Sequence, residues 1–350
     1  MSTVEMTYVL ATYRGAPSDG LSTVWHRVRH AGARIDDSRQ VQDARVLVPG
    51  IPALHLDRLW HRNLNAVFTT FETSALPDAW VDAIHRGYDH CIVPHESVRR
   101  VFERSGVEVP ISIAHQGYTR HQFAAVPGDH AVCDDSVFRI GFLGVPVRRK
   151  NLDKLFAACS SLRSSIPGLR LAIHVAELYD WLDPSSLEEL KEAPFVEWTV
   201  GGRTTKEMGA WFRRLSGYAF PSSGEGWSFT PRESLALGVP TLLTDIPVHR
   251  ELVESGCCIV IPTRGQESAR AECGTFGSWA SVAEEDIRRA ILELFHDLSG
   301  ARRRARRGAR WIATRWPNGE VESRVRSILG RMRQSPRRQV ARVAESTGSL

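Results

Sequence analysis

Glu225 and Glu233 stand eight positions apart in the run YAFPSSGEGWSFTPRESLALGVPTLLTDIPVHRE, residues 218–251. The pattern predicts a buried strand, a loop of Pro, Ser and Gly, and a short helix that is entered at Pro231 and ended by Gly238 and Pro240. A Gly-rich loop that opens on a helix N-terminus suits anions and polyols, because its N–H groups point outward and the helix dipole is positive there. An ionised carboxylate is acceptor-only, so two of them at this junction could each grip a vicinal diol. Spacing alone leaves a second reading open, a solvated loop charge and an ordinary helix N-terminal carboxylate. A further run, GFLGVPVRRKNLDKL at residues 141–155, sets Arg149 and Lys150 behind a glycine-bearing turn. Arg offers a planar fork to phosphate oxygens and Lys a point charge, and the alternative is a basic turn that merely precedes a helix.

The elements that must position these residues alternate between short apolar runs and helix-length amphipathic stretches, the pattern of βαβ units and parallel sheets. In the first half, strands are predicted near residues 7–12, 45–48, 66–70, 90–93 and 111–114, with helices near 21–30, 79–85 and 96–104. AAVPGDHAVCDDS after Phe123 reads as a linker. Strands then follow near 138–143, 170–175, 196–200, 217–220, 241–243 and 258–261, with helices near 152–162, 205–215, 232–237, 248–255 and 284–298. The fold class expected is α/β, with two Rossmann-like doubly wound domains facing across a cleft at the carboxyl ends of their strands. The domains expected are residues 1–125, short for this architecture, and 134–312. A helix over 313–333 would cross back to the first, and 334–350 would form a disordered basic tail.

PSSGEGWSFTPRESLALGVP resembles, without a gap, the Glu-x7-Glu signature of the retaining glycosyltransferases of the GT-B fold, glycosyltransferase family 4. Trp227 and Ser228 stand where Phe and Gly are usual, and Ser234 where Ala is. The resemblance implies that Glu225 contacts the transferred sugar, that the N–H groups of Gly226, Trp227 and Ser228 lie against sugar hydroxyls or the diphosphate, and that Glu233 holds the ribose hydroxyls. GFLGVPVRRKNLDKL resembles the family's RKN element, which implies that Arg149 and Lys150 meet the charge of the departing nucleoside diphosphate, with Arg148 turned outward. VEWTVGGRTTKEMGAWFRRL resembles the segment around the nucleotide base and brings in Val200, Gly202 and Arg203. Gly20 sits where family members carry a first glycine loop, although Ser18, Asp19 and Gly20 also read as a helix N-cap and its approach. Many members place a His after the strand that ends here in FTTFETS, and Glu72 is the acceptor-side residue expected in its stead, with His26, His55 and His95 as substitutes. The implied reaction transfers a sugar from a UDP- or GDP-sugar to an acceptor hydroxyl with retention. No cofactor is expected beyond that co-substrate. No metal is expected either, since neither Asp-x-Asp beside a donor loop nor a His/Cys cluster with ligand spacing is present.

Composition is that of a folded globular chain, 42% apolar and 24% charged. No basic leader and no run of about 18 apolar residues is seen, so a cytoplasmic protein without a spanning helix is expected. The six cysteines lack C-x-x-C spacing and read as reduced thiols. The net charge of +5 hides an asymmetry, for residues 301–350 hold fourteen Arg against three Glu. That segment could engage a polyanion, or be a solvated helix face with a frayed tail. Two other functions fit the same residues. One is a DNA-modifying glycosyltransferase whose basic C-terminus grips phosphates; the other is a non-catalytic nucleotide-sugar or glycan-binding protein.

Overall fold

A computed structural model describes residues 8–11, 32–35, 41, 43–118, 137–178, 185–271, 274–316 and 320–333. The expected helix near 21–30, the linker, Gly20, His26 and the tail from Gln334 lie outside these residues. The chain divides into two units, Met1–Gly117 with Gly319–Leu350, and Tyr118–Asn318.

The first unit holds a parallel sheet of β1 (Tyr8–Ala11), β2 (Gly32–Ile35), β3 (Arg45–Pro49), β4 (Leu64–Phe68), β5 (His90–Val93) and β6 (Ile111–Ile113), in the order β2-β1-β3-β4-β5-β6. The near-continuous apolar runs of β3 to β5 fit strands covered on both faces. Helices α1 (Asp78–Gly87) and α2 (Glu96–Arg104) connect β4 to β5 and β5 to β6. α2 begins at His95, whose Nδ1 accepts the Ser97 N–H at 3.1 Å as an N-cap. The C-terminal helix α10 (Glu320–Arg331) belongs to this unit: Val321, Val325, Ile328 and Leu329 recur at helical spacing and pack with Leu10, Leu47, Phe68 and Ile92.

The second unit holds β7 (Phe138–Leu143), β8 (Leu169–Val175), β9 (Val196–Val200), β10 (Gly217–Phe220), β11 (Thr241–Thr244) and β12 (Ile259–Ile261), all parallel, in the order β12-β11-β10-β7-β8-β9. Its helices are α3 (Leu152–Leu162), α4 (Ser185–Glu192), α5 (Thr205–Arg213), α6 (Phe229–Ala236), α7 (Arg250–Glu254), α8 (Glu284–His296) and α9 (Leu298–Arg315). One face of the sheet is covered by α3 and α8 through Leu155, Cys159, Ile287 and Ile291; the other is covered by α5, α6 and α9 through Phe212, Leu235 and Ile312. This is a doubly wound domain whose strand order reverses between β7 and β10, and open α/β sheets bind ligands at such a switch point, beyond the strand carboxyl ends.

The structure adds β2, α4 and α9, which the sequence reading does not expect, and departs from it in three further features. An antiparallel hairpin, β13 (Gln266–Ala271) and β14 (Gly274–Ala280), occupies a stretch for which the sequence reading expects no element. It is held by Trp279 Nε1 donating to Glu267 at 3.0 Å and is pinned to the segment after β10 by Ala280 N–H on Ser223 O at 3.0 Å. α6 begins at Phe229, ahead of the expected 232, because Ser228 adopts a left-handed conformation (φ 64°) and turns the chain into the helix before Pro231 can. The helix expected over 313–333 is two helices, since α9 runs on to Arg315 and α10 starts afresh at Glu320.

Candidate functional site

The segments after β7 and after β10 are stitched together at the switch point. After β7 the chain turns at Gly144 (φ +146°), where a Cβ would come within 2.5 Å of Lys150 Nζ, so only glycine lets that amine lie against the strand end. A single 3-10 turn (Arg148–Lys150) and a left-handed Asn151 (φ 50°) then start α3. Asn151 is buried and donates from Nδ2 to Pro221 O and Ser223 Oγ, both at 2.8 Å, while Ser223 N–H donates to Arg149 O at 2.7 Å. Arg149 Nη1 donates to Gly224 O at 2.9 Å and forms an ion pair with Glu225 Oε1. The Ser222 hydroxyl donates to the same carboxylate oxygen at 2.9 Å.

Glu225 is therefore a held carboxylate. Burial pushes its pKa up, but Arg149, Lys150 and the Ser222 hydroxyl outweigh burial and keep it below the ordinary glutamate range. Lys150 Nζ lies 5.9 Å from the centre of the Phe220 ring, at the end of β10. Both predicted cations thus reach the junction; Arg148 is exposed. Glu233, half-buried in the first turns of α6, comes close to the same place. The Tyr218 phenol is raised by burial and, further down, by the charges of Glu233 and Glu225. Its hydroxyl ties α6 to β7, at 2.6 Å from Thr230 Oγ1 and 3.4 Å from Leu143 O.

The departures from the usual motif at Trp227 and Ser228 are explained by one buried network. Trp227 turns inward, 3% exposed, and packs edge-on against Trp316 with ring centres 5.3 Å apart. Against both rings lies Arg232, fully buried, its guanidinium carbon 3.9 Å from the centre of Trp227 and 4.6 Å from that of Trp316, a double cation–π contact. Burial brings Arg232 down to about 9, still protonated at neutral pH. Its nitrogens donate to the carbonyls of Trp227, Ser228 (3.0 Å) and Val248 (3.3 Å). In a trans peptide the C=O and N–H are antiparallel, so drawing those carbonyls inward turns the N–H groups of Ser228 and Phe229 the other way, as an anion site at a helix N-terminus requires. His249 Nδ1 lies 2.9 Å from Thr244 O, which only accepts, so Nε2 is the acceptor for the Ser228 hydroxyl at 2.8 Å. Burial, and then the charge of Arg232, lowers His249 to about 4 and keeps this pair neutral. The third departure, Ser234, is buried on the far side of α6, where its hydroxyl lies 2.8 Å from Thr241 Oγ1. Sequence reasoning named neither Asn151 nor Ser222, Arg232, His249 or Trp316 as site residues. The one available signal was an arginine among the apolar positions of a short helix.

Val200, Gly202 and Arg203 lie at the carboxyl end of the edge strand β9, two strand spacings or ~10 Å from β7. Val200 is 49% exposed, and nothing stands within 4 Å of a Cβ built on Gly201 or Gly202. Glu72 belongs to the first unit, half-buried in the loop after β4, and His55 and His95 are buried in that unit. Among the described residues no group of three His, Cys, Asp or Glu side chains converges as a metal site would.

Residues 137–274 match the family described as glycosyl transferases group 1. That match lies within the second unit. Among solved structures, HepE of Anabaena, crystallised with UDP and glucose, superposes on the chain with a TM-score of 0.72 at 10% identity, over 93% of this chain and 99% of that one. WaaG, a glycosyltransferase involved in lipopolysaccharide biosynthesis, gives 0.67 at 11% identity over 92% and 99%. The pneumococcal O-GlcNAc transferase GtfA, with UDP and GlcNAc, gives 0.57 at 14% over 84% and 58%. At such identities the likeness is one of fold, the two Rossmann-like units of GT-B glycosyltransferases. No curated protein sequence matches this one. The residues matched by the family include both the Arg149–Lys150 turn and the segment that carries Glu225 and Glu233.

Proposed function

We propose that the protein is a retaining, metal-independent glycosyltransferase that takes its sugar from a UDP- or GDP-sugar and seats the diphosphate between the ends of β7 and β10. The observation that carries this reading is the lock between Arg149 and Glu225, which sets a cation and an ionised carboxylate side by side at the switch point of a glycosyltransferase domain. As the glycosidic bond breaks, charge grows on the leaving diphosphate, and Lys150 with the outward N–H groups of Ser228 and Phe229 would meet it. Arg149 takes a second role, for its Nη1 is committed to Glu225 and Gly224; it orients the carboxylate that would accept hydroxyl protons of the sugar. Glu233 would hold the ribose, and Val200, Gly202 and Arg203 the base. UDP in the HepE and GtfA complexes favours a uridine donor. Glu72 remains the proposed acceptor-side residue.

The test is a panel of UDP- and GDP-sugars, scored first for thermal stabilisation of the protein and then for release of the nucleotide in the presence and absence of EDTA. One donor should stabilise the protein and be cleaved at an EDTA-insensitive rate, and the first-formed sugar product should keep the donor's anomeric configuration by NMR. Stabilisation without any cleavage would support the non-catalytic binding protein instead.

A further inference from the structure

α9 carries seven arginines and no acidic residue. Arg304 pairs with Glu293 and Arg315 with Glu251. The remaining five, Arg302, Arg303, Arg306, Arg307 and Arg310, have no carboxylate partner among the described residues. At 100° per residue they fall within an arc of about 140° and a length of about 12 Å. The opposite side, Ala301, Ala305, Gly308 and Ile312, is buried. Several helical arginines elsewhere sit on glutamates, Arg99 and Arg100 on Glu96, Arg288 and Arg289 on Glu285, Arg326 on Glu322, whereas α9 gathers five on one face without a carboxylate. Like charges at i and i+4, as in Arg302, Arg306 and Arg310, weaken a helix.

We propose that the arginine face of α9 docks the protein on an anionic lipid bilayer. The face is a convex band of guanidinium forks suited to phosphate esters, and a plane of anionic headgroups can meet Arg303, Arg306 and Arg310 at its centre while Arg302 and Arg307 reach it from the edges. Beyond arginine itself, it lacks the side chains that nucleic-acid recognition adds. No Asn or Gln stands among these positions to read a base edge. Trp311, the nearest aromatic, is edge-on to Trp316 and not presented as a stacking platform. None of the large exposed apolar side chains lies on α9, so adsorption is by charge, without insertion. Gly308 lets α9 sit directly on α6, with Leu235 and Cys257 about 3 Å from where a Cβ would be. The docked face is thereby rigidly joined to the helix that opens at Ser228. The proposal stands apart from the sugar-transfer reading, since it rests on the surface of α9 alone.

The test is co-flotation of the full-length protein with vesicles of neutral phosphatidylcholine, and with vesicles that contain about a third phosphatidylglycerol, at low and high salt. Binding should require the anionic lipid and be lost at about 1 M salt, where the screening length is about 3 Å. The triple variant Arg303→Gln, Arg306→Gln, Arg307→Gln should partition on the order of 100-fold less, by the usual increment for each basic residue at an anionic surface, with Tm and nucleotide binding unchanged. Arg337→Gln, Arg338→Gln, Arg342→Gln, which alters the C-terminal tail, should reduce binding less. Loss of binding in the tail variant but not in the α9 variant would overturn the proposal. So would equal binding to neutral vesicles, or retention of a DNA duplex by a protein that ignores anionic vesicles.

Discussion

The two ends of the proposed donor site are built differently. Beyond β7 and β10, almost every polar group has an assigned partner: Asn151 spans both segments, Arg149 and Ser222 share one oxygen of Glu225, and Arg232 holds two successive carbonyls. Beyond β9, Val200 is exposed and the two glycines that follow face open space. Electrostatic catalysis depends on groups that need not reorganise as charge develops, so the bond-breaking end has to be fixed in advance. The base end only binds, and it is free to close on its ligand.

Substitutions at the two ends should separate accordingly. Arg149→Ala should have the largest effect, lowering kcat by about 10²–10³ with little change in KM, because it removes a pre-set donor and leaves Glu225 buried without its counter-charge. Steady-state kinetics with the identified donor would show it, and a pure KM effect would place Arg149 outside the reacting centre. Glu233→Ala should weaken binding of the free nucleotide diphosphate by about 1.5–3 kcal/mol while the fold survives, the range for hydrogen bonds to a charged group; calorimetric titration would measure it. One substitution made at both ends sharpens the contrast further. Gly144→Ala drives a methyl into the Lys150 amine from a backbone conformation that disfavours side chains, and should cost activity and Tm together. Gly202→Ala has room, and should change Tm negligibly and KM less than about threefold.

The locked end should also be acid-sensitive. His249 is fully buried with its pKa lowered to about 4, so between there and its ordinary value near 6.5 the unfolded chain binds a proton that the folded chain refuses. Stability should therefore fall as pH drops through that window, by up to about 3 kcal/mol at pH 4 from this residue. His174, against Thr199 of β9, and His90 of the first unit, both lowered to about 4 by burial, add to the loss elsewhere in the chain. Denaturant titrations at pH 7 and pH 4.5 should show a smaller difference for His249→Gln than for the unaltered protein.

The sequence made this architecture legible to an uneven degree, and the reasons are physical. β7, β10 and β11 are short apolar runs between glycine and proline, so their existence follows from periodicity and punctuation. The hairpin β13–β14 escaped because its strands are largely exposed and bury few side chains, chiefly Ala269, Trp279 and Ala280, leaving no run of alternation to read. In the site, Glu225, Glu233, Arg149 and Lys150 were readable because charges beside glycine-rich turns stand out in a sequence. Their coupling was not readable, since the Arg149–Glu225 pair closes over 76 positions and depends on the order of strands in the sheet. Arg232 and His249 were opaque for a different reason. A buried cation and a buried neutral imidazole have the same letters as solvated ones, and only the surrounding Trp227, Trp316, Ser228 and Thr244 distinguish them.

Everything proposed for the donor site requires that the diphosphate lie against Lys150 at the junction of β7 and β10. The most direct measurement is a calorimetric comparison of a nucleoside diphosphate with its monophosphate, UDP with UMP or GDP with GMP, on the unaltered protein and on Lys150→Met. The unaltered protein should prefer the diphosphate by at least about tenfold, the worth of one charge-assisted contact, and Lys150→Met should bring the two affinities close together while binding of the monophosphate is nearly unchanged. An undiminished preference for the diphosphate in Lys150→Met, or equal loss of both ligands, would contradict that placement.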